Sequence, residues 1–115
     1  MRQSIEGRWF DKLFLEAIDV SLDRCFGMEI RNLVYVFLRA SVSLERKSIP
    51  RAPSAFVSGL EKLFGSGATA IEKAIVKELY SKIDLEVSAE DTFPDLIERA
   101  RASFTIKRSK REVFL

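Results

Sequence analysis

"MEIRNLVYVFLRASVSL", residues 28–44, decides the fold. Its centre, LVYVFL at 33–38, is dense in β-branched and aromatic side chains, a composition that suits a buried strand. The apolar stretch is far longer than the average strand of about 5–6 residues. No second strand-like segment exists to pair with it, and a lone strand leaves its backbone N–H and C=O groups without partners. At helical period, Ile30, Leu33, Val34, Phe37, Ala40 and Ser41 fall on one stripe. The segment is therefore expected to be a central helix, buried on most sides. The fold class that follows is all-α, a compact bundle of four to five helices packed around residues 33–38.

The flanking segments fit that frame. Upstream, RWFDKLFLEAIDVSLDRCF (8–26) carries Trp9, Phe10, Leu13, Phe14, Ala17 and Ser21 at helical spacing, with Asp11, Lys12, Glu16, Asp19 and Asp23 largely opposite. Gly27 is expected to end that helix. Downstream, Pro50 and Pro53 break the pattern. Pro53 suits the first residue of the next helix, where no backbone donor is needed. That helix, PSAFVSGLEKLF (53–64), has Phe56, Val57, Leu60, Leu63 and Phe64 as its apolar face.

FGSG (64–67) then invites two readings. A phosphate-binding P-loop needs a strand before it and a Lys at a fixed position, and neither is present; a dinucleotide fingerprint fails for want of the same strand. The turn is read as a link between helices, with Gly65 supplying the backbone conformation that ends the first. Thr69 and Glu72 have the spacing of a capping box for the next helix. ATAIEKAIVKELYSKI (68–83) aligns Ala68, Ile71, Ile75, Leu79 and Ile83, with Glu78 and Lys82 as an outer pair. After the polar connection DLEVSAEDT, Pro94 opens a last helix, with Asp91 or Thr92 near its cap and Phe93, Leu96, Ile97, Ala100 and Phe104 as its stripe. Beyond Phe104 the pattern decays into TIKRSKREVFL. The chain reads as one helical domain over residues 1–115 with a basic tail from about 105 to 115.

Composition narrows the chemistry. The chain has no His and one Cys, so His-based triads and His or thiolate zinc sites within one chain are excluded. Cys25 has no His to activate it and is expected to be a small buried hydrophobe. Glu86, Glu90, Asp91 and Asp95 cluster in sequence without EF-hand spacing and read as solvated loop and helix-start charges. No catalytic, metal or cofactor-binding residue is nominated. An enzyme would need a polar pocket holding Tyr35 or Tyr80 with converging Arg and carboxylate groups. Residues 53–82 could form a helix-turn-helix, but Glu72, Lys73, Lys77 and Glu78 make a mixed, solvated face.

No apolar run approaches the about 20 residues of a membrane span. The first residues lack the apolar core of a secretory signal, so a cytoplasmic setting is expected. A single Asn (Asn32) and a single Gln (Gln3), against 31% charged residues, follow the pattern of heat-adapted proteins.

The most polarised feature is Lys107, Arg108, Lys110 and Arg111, preceded by Arg99 and Arg101. They form the candidate contact for an acidic partner or nucleic acid; four phosphate contacts would give a log–log salt slope of about −3.6. Trp9, Phe10 and Phe14, with Val113, Phe114 and Leu115, are candidates for an exposed self-association patch.

SIPRAPSAFVSGLEKLFGSGATAIEKAIVKELYSKIDL (48–85) resembles the archaeal Nitrosopumilus output domain family. The residues that carry the likeness are Ile49, Pro50, Pro53, Phe56, Phe64, Gly65, Gly67, Ala68, Ile71, Glu72, Lys73, Ile75, Lys77, Glu78 and Leu79. The resemblance implies a small helical domain with an output or interaction role in archaeal signalling and no established catalytic residues. The expected function is a non-enzymatic interaction or output module from a heat-adapted archaeon, forming a homo-oligomer, most simply a homodimer, or binding another protein. The alternative is nucleic-acid binding through the basic segment or a helix-turn-helix.

Overall fold

In a computed structural model, described over residues 5–87 and 91–114 and with side chains over 7–87 and 91–106, residues 28–44 settle as helix. Five α-helices follow in order: α1 (Ile5–Phe26), α2 (Met28–Val42), α3 (Pro53–Phe64), α4 (Ala68–Lys82) and α5 (Phe93–Phe114). Two 3-10 turns, Arg46–Arg51 and Gly65–Gly67, lie before and after α3. Among the described residues there is no strand. The chain is an all-α, compact bundle; its radius of gyration, 14.4 Å, is near the about 13 Å of a compact chain of this length.

The turns obey local stereochemistry. Gly27 joins α1 to α2 alone, at φ 89, a region side-chain-bearing residues avoid. Its N–H donates to the Asp23 carbonyl and its carbonyl accepts from the Arg31 N–H, so one residue ends one helix and starts the next. Gly65 ends α3 at φ 56 with its N–H on the Glu61 carbonyl. Pro53 occupies the first turn of α3. Thr92 caps α5, its Oγ1 accepting from the Asp95 N–H at 3.4 Å. The capping box expected at Thr69 does not form: the 3-10 turn runs straight into α4, and no side chain caps it. Glu78, expected to pair with Lys82, instead accepts from Arg24 of α1 at 3.1 Å.

The core is built from α1. Phe10, Phe14, Ala17, Ile18 and Leu22 are fully buried, and their helix touches α2, α4, α5 and the first 3-10 turn. Phe14 and Phe56 both meet the Phe93 ring, with centroids 6.1 and 5.8 Å away, and Phe10 meets Phe104 at 6.0 Å. These tilted pairs add to the area that the rings bury. Tyr80 is buried with its hydroxyl donating to the Leu96 carbonyl at 2.7 Å, which satisfies the one polar atom it brings inside.

Three features differ from the sequence expectation. Residues 33–38 are not the centre of the bundle: α2 buries only Val34 and Leu38. Phe10 and Phe14 are not a surface patch, because they fill the space between α1 and α5. Cys25 is exposed rather than buried: it lies one turn beyond Leu22, the last buried residue of α1. α5 continues through the basic segment to Phe114.

Candidate functional site

Polar ties hold one side of α2 against α1. The Tyr35 hydroxyl donates to Asp19 Oδ1 at 2.5 Å, and the Arg31 guanidinium donates to Asp23 at 2.9 Å. Arg46 completes the first tie: Nε and Nη2 reach the two Asp19 oxygens at 3.2 and 2.6 Å, and its guanidinium lies over the Tyr35 ring. Residues 31 and 35 are therefore held against α1, and 34 and 38 against the core. On the α3 side the fit is tight: a Cβ on Gly59 would collide with Leu38 Cδ2.

Held this way, α2 turns its other apolar side chains to solvent. Met28 is 61% exposed, Leu33 60%, Val36 51% and Ile30 41%. Phe37 is half-buried and Ala40 exposed. The stripe read from the sequence is thus rotated: of its six members only Val34 is buried. Phe26, at the end of α1, is also exposed and stacks on Phe64 with ring centroids 5.1 Å apart. Ile30, Leu33 and Val36 share the outward side of α2, while Met28 stands apart in its first turn; adjoining exposed apolar side chains of this kind mark interaction surfaces.

The remaining candidates divide. Trp9 is 48% exposed with Lys12 over its ring, standing alone once Phe10 and Phe14 are removed from the patch. The side chains of Lys107, Arg108, Lys110 and Arg111, and those of Val113, Phe114 and Leu115, lie outside the described residues. Arg101, grouped with them in sequence, is a structural tie. It donates to Asp11 at 3.0 Å and to the Pro50 carbonyl at 2.9 Å, with its guanidinium over Phe10. Arg99 is exposed.

Tyr35 does sit with an Arg and a carboxylate, the grouping an enzyme reading required. Burial first, then the hydrogen bond to Asp19 and its charge, raise the phenol well above its usual range. Its proton is held, its donor is spent on Asp19, and Asp19 is neutralised by Arg46. The three groups satisfy one another. Tyr80 is likewise spent on Leu96.

A groove of about 770 Å³ runs between α3, α4 and the start of α5, with Val57, Val76, Phe93 and Pro94 inside and Glu61, Glu72, Lys73 and Lys77 along it. Burial, and then the Glu61 charge, raise the Glu72 carboxyl above its ordinary value. α4, the second helix of the candidate helix-turn-helix, thus presents mixed charge along an apolar groove. Glu90, of the acidic cluster, lies outside the described residues. Among the described residues no three His, Cys, Asp or Glu side chains are placed to hold a metal ion. Among them, too, no helix is long and apolar enough to cross a membrane.

The α2 face was the surface that reading by stripe missed. A signal for it existed: Glu29, Leu33, Val36 and Ala40 are spaced by four, three and four residues, the interval of a seam between two helices. The chain matches no protein-family model, no curated protein and no solved structure. The likeness to the archaeal output domain family rests on the quoted residues alone.

Proposed function

We propose that this protein is a non-enzymatic interaction module that engages another protein through the outward face of α2. The observation that carries the reading is the exposure of Met28, Ile30, Leu33 and Val36 on a single helix whose other side is pinned to the bundle. A rigid apolar face with charges at its margins has the make-up of an interaction surface. Composition and the family resemblance extend the reading to an output role in the cytoplasm of a heat-adapted archaeon, with no cofactor.

The test is a comparison of tagged wild-type protein with Leu33→Glu in capture from the native host's extract. Leu33 is exposed, so the carboxylate leaves the fold intact, which circular dichroism checks. Loss of the captured proteins with Leu33→Glu is expected. Identical captured sets from both proteins would remove α2 as the interaction surface.

A further inference from the structure

The outward face of α2 carries information about what covers it. We infer that its occupant is a second copy of the same chain, docked antiparallel along α2; the inference rests on the interaction-module reading of the same face.

The first ground is the spacing. Glu29, Leu33, Val36 and Ala40 form one continuous line along the exposed side of α2, with Ile30 and Phe37 flanking it on one edge and Asn32 and Arg39 on the other. Lines of this period let two helices pack side by side, each inserting side chains between those of the other. In a two-fold pair centred between Leu33 and Val36, Leu33 of one protomer packs on Val36 of its partner. Ile30 comes beside Phe37 across the apolar edge.

The second ground is charge. Glu29 stands at the start of the face and Arg39 near its end, and neither makes an ion pair among the described residues. They are ten positions apart, about 15 Å along the helix axis. An antiparallel pair brings each Glu29 to the level of the opposite Arg39, twice by symmetry. A parallel pair would set Glu29 beside Glu29 and Arg39 beside Arg39, which is repulsive. The face is therefore complementary to itself in one orientation only, as a two-fold interface requires. A lipid surface fits less well, because Glu29 lies in the line of the apolar contacts and would meet anionic headgroups.

The third ground is size. α2 is 15 residues long, so the seam is about 22 Å at about 1.5 Å per residue. One helix face of that length falls at or below the lower end of stable interfaces, about 1,200 Å² in total. The dimer is consequently reversible, dissociating in the micromolar range and above.

Sedimentation of the full chain from micromolar to millimolar concentration tests this. Wild-type protein is expected to move from monomer to dimer across the series. Leu33→Glu should raise the dissociation constant by about thirtyfold or more. Glu29→Arg and Arg39→Glu should each weaken the dimer by several-fold, and the double exchange should restore it. In a Cys25→Ser background, Leu33→Cys and Val36→Cys should oxidise to cross-linked dimers while Ala40→Cys does not. A wild-type monomer at millimolar concentration overturns the inference, as does a dimer indifferent to Leu33→Glu or one that cross-links through Ala40→Cys. Leu33-dependent binding of the monomer to anionic phospholipid vesicles overturns it too. The two readings fail separately. A strict monomer whose capture of other proteins still depends on Leu33 leaves the interaction module standing and removes self-pairing. A chain that shows neither loses both.

Discussion

Helices α1 and α2 are joined through Gly27 alone, carry similar loads of large apolar side chains, and use them in opposite ways. α1 sends Phe10, Phe14, Ile18 and Leu22 into the core. α2 sends only Val34 and Leu38 inward and leaves Met28, Ile30, Leu33 and Val36 outside. The difference lies in their neighbours. α1 packs against α2, α4, α5 and the first 3-10 turn, whereas α2 packs chiefly against α1 and α3. An apolar helix is central only if other elements surround it. Here α1 holds that position, and α2, the more apolar of the two on average, lies at the edge.

The contrast is open to measurement by denaturant unfolding. Phe14→Ala empties a site bounded by Phe10 and Phe93 and should cost about 3–5 kcal/mol. Leu33→Ala, measured at a concentration where the chain is monomeric, should stay within about 0.5 kcal/mol of wild type. Comparable losses at the two positions would mean that α2 is buried within the protomer and that the contrast is void.

The ties between the two helices come next in size. Asp19→Ala strands the Tyr35 hydroxyl, which is partly buried, and frees Arg46; a loss of about 1–3 kcal/mol is expected. A loss near zero would show that apolar packing alone sets the rotation of α2. Gly59→Ala probes the opposite side of α2. Ala gains about 0.5–1 kcal/mol in a helix interior over Gly, while overpacking against Leu38 costs about 1–3 kcal/mol. A net loss is expected, and a more stable variant would show that α2 shifts outward freely at its edge position.

The smallest effect belongs to α4, where Glu72 is neither core nor open surface. Its carboxyl is raised by burial and by Glu61, so the folded state holds the proton more tightly than the unfolded chain. Stability therefore falls as pH rises between the ordinary glutamate value and the raised one, and returns on acidification. Glu72→Gln should remove that part of the pH slope. A slope unchanged in the variant would place the responsible carboxyl elsewhere.

Much of the fold was legible in the sequence for physical reasons. Gly27, Gly65 and Pro53 mark backbone positions whose stereochemistry admits few alternatives, and each bounds a helix where the sequence indicates. The stripe of α5 from Phe93 to Ala100 is buried as spaced. The candidate surface was less legible. Phe10 and Trp9 are adjacent and chemically alike, yet one is buried and the other half-exposed, because only the placement of α5 and Arg101 distinguishes them. Periodicity says that α2 has an apolar side; the side that faces in is the one that the Tyr35–Asp19 and Arg31–Asp23 contacts flank. Those contacts join residues 16 and 8 positions apart across a turn, and no stripe within one helix encodes them.

Arg101 also bears on the order of assembly. It joins residues separated by 90 and 51 positions in the chain, Asp11 and Pro50, while shielding one face of Phe10. During synthesis the Phe10 ring is made early and its cover, Arg101 and Phe104, is made late. A nascent chain carrying helices α1 through α4 therefore holds Phe10, Phe14 and Phe56 without the Phe93 and Phe104 rings that meet them until α5 arrives. Closure over such long separations is slow compared with forming the helices themselves. The interval before α5 docks is when this protein is most exposed to aggregation, and when a chaperone that recognises aromatic surface would have most to hold.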